Sequence, residues 1–323
     1  MDKIRTILIG TPEFAANIFR KACPELLSRG FDIISVITAP DKPVGRNQVL
    51  TPSPVKKWAL EANLSVLEPD RIRNPEWVAK IRDLAPDLII LCAYGQIIPQ
   101  EILDIPKYHA LNIHPSLLPK YRGASPIQSV ILNGETETGV CLMVMDQELD
   151  HGPILASTKF QILNPKITYA ELSKELSNLG AKLLIKTLPD YIEGKIQLQE
   201  QDHSQATLCK LIKKEYGKID WNKPAQEIER QIRAFREWPT AYAEILNPKS
   251  QILSNLKILN ADYKNQNTDR KIGEVFLDEN KNLCVQTGNG ILILKQLQLE
   301  GKNPVSVKDF LNGHKEIVGT ILK

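Results

Sequence analysis

The sequence predicts an α/β protein in which a doubly wound, Rossmann-like parallel sheet is followed by a small, OB-like β-barrel. Three observations carry this reading. Short aliphatic runs alternate with helix-patterned segments through the first half of the chain. Strand-length runs separated by Gly and Asn turns fill the stretch after Thr207. A length of 323 residues is enough for two hydrophobic cores.

The elements follow in order. Residues 5–9, 31–38, 88–93 and 110–114 are apolar runs bounded by Gly, Pro, Asp or Asn, as strands buried on both faces of a parallel sheet are. Between them, residues 14–29 (interrupted at Pro24), 54–61 and 76–84 carry apolar residues three and four apart and read as helices. Two further strands, 139–145 and 154–160, are joined by the acidic loop 146–153, and a long amphipathic helix is expected over 168–188. Residues 190–206 are polar and irregular. They divide the chain into a first domain over 1–189, a linker over 190–206 and a second domain over 207–323. There a short helix at 225–235 precedes strand-length runs at 241–246, 252–259, 273–277, 283–287 and 291–299.

Composition narrows the function. Hydrophobic residues at 42% and charged residues at 24% are ordinary for a globular chain and argue against disorder or a fibrous repeat. Apolar stretches such as 88–93 fall far short of the roughly 20 residues that cross a bilayer. The amino terminus enters a strand with no signal-peptide pattern, which favours a cytoplasmic protein. Cys23, Cys92, Cys141, Cys209 and Cys284 form no C-x-x-C pair and read as reduced packing residues. Net charge is +3, unevenly shared: residues 207–323 hold 19 basic and 14 acidic residues, a net +5, against −2 for the rest. A cationic second domain suits a phosphate backbone, and a solvated mixed surface accounts for the same numbers.

In doubly wound sheets ligands sit beyond the carboxyl ends of the strands. Gly10-Thr11-Pro12 follows the first strand but lacks the spaced glycines of a dinucleotide fingerprint and the Lys-Ser/Thr of a P-loop, so nicotinamide and ATP chemistry lose support. In Asn112-Ile113-His114 strand alternation turns the amide and the imidazole to one side. One ligand atom could then meet both; local backbone hydrogen bonds beside a proline-bounded turn are the competing reading. Asp150, in the loop 146–153, is either a turn former before Gly-Pro or an acid–base group. His114, Asp150 and His151 lack a diagnostic metal-ligand spacing, so no metal is expected.

A resemblance then decides among these readings. Residues 10–15 (GTPEFA), 40–46 (PDKPVGR) with 52–56 (PSPVK), Ala93-Tyr94-Gly95, Asn112-Ile113-His114 with Ser116-Leu117-Leu118-Pro119, Arg122-Gly123-Ala124 and Leu149-Asp150 are similar to the methionyl-tRNA formyltransferase family. The similarity continues in order through Ile219-Asp220-Trp221, Ile232-Arg233-Ala234-Phe235 and Trp238-Pro239. It implies formyl transfer from 10-formyltetrahydrofolate to the α-amino group of initiator methionyl-tRNA, without a metal, by a cytoplasmic monomer. The resemblance also implies roles: Asn112, His114 and Asp150 catalytic; Ser116, Leu117, Leu118 and Pro119 at the folate; and the 41–50 loop, with Lys42 and Arg46, at the tRNA. Beside it, Lys210, Lys213, Lys214 and Lys218 form a cationic stretch at the start of the second domain that suits the same tRNA, a solvated face being an equal reading for any one of them. The chain departs from the family where Asn47-Gln48-Val49 follows Arg46, giving the 41–50 loop fewer charges, and in His151-Gly152-Pro153 after Asp150. A sugar-nucleotide formyltransferase and a non-catalytic tRNA-binding protein on the same fold are the alternatives.

Overall fold

The computed structural model describes residues 3–45, 48–246 and 253–323. The chain divides into two compact units: Met1–Pro126 with Thr136–Ile162 and Leu172–Lys210, and Ile127–Glu135 with Leu163–Glu171 and Leu211–Lys323.

The first unit is built on a seven-stranded sheet. Its strands are β1 (Ile4–Gly10), β2 (Phe31–Ile37), β5 (Val66–Leu67), β6 (Leu88–Cys92), β7 (Ala110–His114), β9 (Glu137–Val144) and β10 (Ile154–Gln161), in spatial order β10-β9-β7-β6-β1-β2-β5. Pairing is parallel from β5 through β7, while β9 and β10 are antiparallel. The helices α1 (Glu13–Ser28), α2 (Pro54–Glu61), α3 (Pro75–Asp83), α4 (Gln100–Leu103) and, from residue 172 on, α6 (Tyr169–Ile192) belong with this sheet. Ile7, Ile9, Ile89 and Ile90 are wholly buried; each such side chain contributes about 1.5–3 kcal/mol relative to exposure. That burial explains why an uninterrupted aliphatic run, rather than an alternating one, marks these strands.

Helix α1 runs through Pro24, where the sequence predicts an interruption. Pro24 and Arg20 are both exposed, so the hydrogen bond that Pro24 cannot donate is lost on the solvent side of the helix. Burial of Phe14, Ile18, Phe19 and Leu26 on the opposite face holds the helix together. Helix α6 likewise continues through Pro189 to Ile192.

Two small pieces are added to this sheet. Strands β3 (Lys42–Val44) and β4 (Val49–Thr51) form an exposed antiparallel hairpin. Its root is tied down by Lys56, whose ammonium meets Asp41 at 2.7 Å and Glu68 at 2.9 Å. Strand β8 (Arg122–Gly123) pairs in parallel with β11 (Leu208–Cys209), so residues just beyond the 190–206 stretch are woven into the first unit.

In the second unit, β12 (Tyr242–Leu246), β13 (Leu253–Lys264), β14 (Val275–Leu277), β15 (Leu283–Gln286), β16 (Ile291–Leu299) and β17 (Val305–Ser306) form an antiparallel sheet ordered β12-β13-β16-β15-β14, with β17 on β16. Residues 319–323 close it. Gly319 N–H donates to Val275 O at 2.7 Å and Val275 N–H to Thr320 O at 2.9 Å, while Glu244 and Lys323 exchange backbone bonds of 2.8 and 3.0 Å. One short segment thereby joins β14 to β12. The core holds Ile219, Trp221, Leu256, Ile258, Leu292 and Leu294, covered by α7 (Ala225–Ala234) through Ile228 and Ile232. Buried Glu229 on α7 is paired with Arg233 at 2.7 Å, one turn on, and Arg233 also donates to Ile167 O. Helices α5 (Pro126–Asn133) and α8 (Val307–Gly313) complete the fold.

Candidate active site

Three side chains meet at the carboxyl-terminal half of β7. Alternation along that strand turns Asn112 and His114 the same way, and both are buried. Asp150 comes to them from the β9–β10 loop. Its Oδ1 accepts from Asn112 Nδ2 at 3.0 Å and lies 3.6 Å from His114 Nδ1; its Oδ2 accepts the backbone N–H of Gly123 at 2.7 Å. The far nitrogen of the imidazole, His114 Nε2, is 2.9 Å from the carbonyl of Tyr121. A carbonyl only accepts, so Nε2 carries the proton and Nδ1 is left toward Asp150.

The surrounding backbone is unusual. Asp150 (φ 50°), Tyr121 (φ 61°) and Ala93 (φ 49°) all adopt the left-handed region, which costs a non-glycine residue of the order of 1–3 kcal/mol and gathers at functional sites. Gly123, at φ 117°, lies where a Cβ would stand 2.3 Å from the carbonyl oxygen of Cys209. Only glycine lets β8 approach β11 there and aim its N–H at Asp150.

The 116–119 segment follows β7 directly. Ser116 is buried and its hydroxyl donates to Lys120 O at 2.6 Å, closing the turn. Leu117 lies over Gly139, and Leu118 packs with Cys141, Met143 and Ile154 while its N–H meets Cys141 Sγ at 3.4 Å. Pro119 is half-buried. Tyr94 sits in the core cluster with Ile9 and Leu91; its hydroxyl has no hydrogen-bond partner among the described residues, and burial pushes its pKa up. Burial also raises the Cys141 thiol to about 11 and the Cys23 thiol to about 12.

His151 is engaged on both sides. Its Nδ1 is 2.7 Å from Asp146 Oδ2, and its ring stacks on His203 with centroids 4.1 Å apart. Among the described residues no group of three or more His, Cys, Asp and Glu is arranged to hold a metal. Of the cationic residues singled out, Lys42 is exposed on β3, Lys210, Lys213 and Lys214 are exposed, and Arg46 lies outside the described residues.

Sequence reasoning gave no role to Gly123, Tyr121, Arg122 or Gln201, which all bear on the site. Arg122-Gly123 was visible as part of the family-like pattern. Gln201, in a polar irregular stretch, carried no signal.

Residues 2–188 match the model of the formyl transferase family, and residues 211–315 match that of the formyl transferase C-terminal domain. A methionyl-tRNA formyltransferase of Sulfurihydrogenibium sp. is 40% identical over 97% of both chains. Its counterpart in Caldicellulosiruptor saccharolyticus is 42% identical over 98% of this chain and 99% of its own. This chain belongs to the methionyl-tRNA formyltransferase family. Solved structures extend the comparison beyond methionyl-tRNA formyltransferases. The sugar 3N-formyl transferase WlaRD is 25% identical with a TM-score of 0.61, over 94% of this chain and all of that one. HypX from Aquifex aeolicus, solved with tetrahydrofolic acid, shares the fold at 20% identity and a TM-score of 0.62, over 96% of this chain and 47% of that one.

Proposed function

We infer that this chain transfers the formyl group of 10-formyltetrahydrofolate to the α-amino group of initiator methionyl-tRNA, giving N-formylmethionyl-tRNA and tetrahydrofolate. The observation that carries the assignment of roles is the meeting of Asn112, His114 and Asp150 through one carboxylate. Formyl transfer requires a neutral amine to attack the formyl carbon, stabilisation of the tetrahedral oxyanion, loss of a proton from the attacking nitrogen and departure of the folate nitrogen. An aminoacyl α-amino group titrates near ~8 in the free state, so modest base assistance is enough.

An amide nitrogen has two N–H bonds. Asn112 uses one on Asp150, and the second is the donor for the oxyanion. As the imidazolium, with its Nε2–H held by the Tyr121 carbonyl and a second proton on Nδ1, His114 donates from Nδ1 to the same oxygen. Asp150 orients both groups and accepts the amine proton, directly or through water. The apolar surface of Leu117 and Leu118 beside the turn held by Ser116 supports placing the flat pterin there, with Pro119 at its edge. Lys42, Arg46, Lys210, Lys213 and Lys214 are the proposed tRNA contacts. No helix among the described residues is long and apolar enough to cross a membrane; we place the protein in the cytoplasm, as a monomer.

The test is a two-substrate assay with purified protein, 10-formyltetrahydrofolate and methionyl initiator tRNA. The expected product is N-formylmethionyl-tRNA. An amino-sugar nucleotide formylated in place of the tRNA would overturn the assignment. Asn112→Ala should lower kcat by about 10²–10³, the loss typical of one oxyanion donor, with tRNA affinity retained. Full turnover in that variant would remove the oxyanion role.

A further inference from the structure

Gln201 is buried, and every polar atom of its side chain is used. Its amide nitrogen donates to the backbone carbonyls of Asp150 at 3.0 Å and Gly152 at 2.7 Å. Its amide oxygen accepts Nε and Nη2 of Arg122 at 3.1 and 2.7 Å. Neighbours fix that orientation: a guanidinium cannot accept and a carbonyl cannot donate, so the oxygen must face Arg122. Arg122, itself buried, also directs Nη2 at His203 Nδ1, 2.8 Å away. His203 stacks on His151, and His151 is bonded to Asp146. Residues 201 and 203 thus hold the 150–152 end of the loop directly, and His151 ties that end back to Asp146.

Asn112 and His114 need no such grip, because strand register holds them. Asp150 stands on a loop in the left-handed conformation, and its carboxylate must stay between Asn112 Nδ2 and the Gly123 N–H. We propose that Gln201 is a positioning residue for formyl transfer: its amide, braced by Arg122, clamps residues 150–152 so that the Asp150 carboxylate faces Asn112 and His114. The proposal rests on the reading in which Asp150 takes part in the transfer.

Gln201→Glu separates the clamp from the brace. A carboxylate keeps Arg122, now as an ion pair, but loses both N–H donors and turns oxygen toward the carbonyls of Asp150 and Gly152. Formyl transfer is measured for wild type, Gln201→Glu, Asp150→Asn and the double variant. The expected result is a kcat at least tenfold lower in Gln201→Glu, measured at a temperature where the variant is fully folded, with KM for both substrates within twofold. In the Asp150→Asn background the same change should cost less than twofold, since the group it positions is gone. Wild-type kcat in Gln201→Glu beside a crippled Asp150→Asn would overturn the clamp alone, as would losses that multiply in full in the double variant. An Asp150→Asn variant as active as wild type would overturn the functional reading, and the clamp with it. Arg122→Lys reaches the clamp from its far side. It should give a milder kcat loss that also vanishes with Asp150→Asn, and it decides the matter if Gln201→Glu does not fold.

Discussion

The Asp150 carboxylate is approached by a side-chain amide, an imidazole and a backbone N–H, and the last of these depends on a residue without a side chain. Gly123→Ala would drive a methyl group against Cys209 O from a backbone angle that only glycine adopts freely. We expect stability lower by about 1–3 kcal/mol in denaturant titrations, together with a reduced kcat as the N–H moves off Asp150. Unchanged kinetics would mean that this hydrogen bond is dispensable. The residue scale also shows what the sequence could disclose. Asn112 and His114 are legible because period-two alternation forces them to one side. Asp150 lies 38 residues from Asn112; its acidic loop marks it as a turn former or an acid–base group, and only the family pattern decides between the two. Gly123 acts through its backbone, which leaves no mark in composition. Gln201 is one polar residue among many until the fold buries it.

At the scale of elements, hydrophobic periodicity proved the stronger guide and proline the weaker one. The strand 110–114 is predicted residue for residue, since its buried run is bounded on both sides. The break at Pro24 is not found, because a proline on a solvent face removes one hydrogen bond without exposing the apolar stripe. Residues 168–171 supply a capping box at the start of α6: Glu171 Oε2 accepts the Thr168 N–H and hydroxyl, both at 2.8 Å. Those bonds hold the Glu171 carboxyl below its ordinary value of 4.5. A lowered folded-state pKa means that the stabilisation is complete above the ordinary carboxyl range and fades as pH falls through the folded value. Glu171→Gln should therefore be less stable than wild type at neutral pH, by about 0.3–1 kcal/mol as at other exposed helix starts. The gap should close in acid. A difference that stays constant in thermal unfolding from pH 7 to strong acid would exclude this origin.

For the molecule as a whole, the doubly wound sheet and the barrel are both foretold, but the piece that closes the barrel is not. Residues 319–323 are too short and too mixed in polarity to read as a strand, and their pairing is defined by two distant partners, β12 and β14. Deleting them should lower the melting temperature of the second unit and produce light scattering on heating, because two sheet edges lose their cover. A truncated chain that melts as wild type does, and stays clear, would show that the sheet needs no closure.

That closure also bears on how the protein is made. Ribosomes deliver a chain from its amino terminus, so residues 319–323 are translated after every strand they unite. Until they emerge, β12 and β14 present backbone groups to any neighbour, and the barrel is a half-finished surface inviting mispairing on the nascent chain. The second unit can therefore complete its sheet only after all of its other strands have been made.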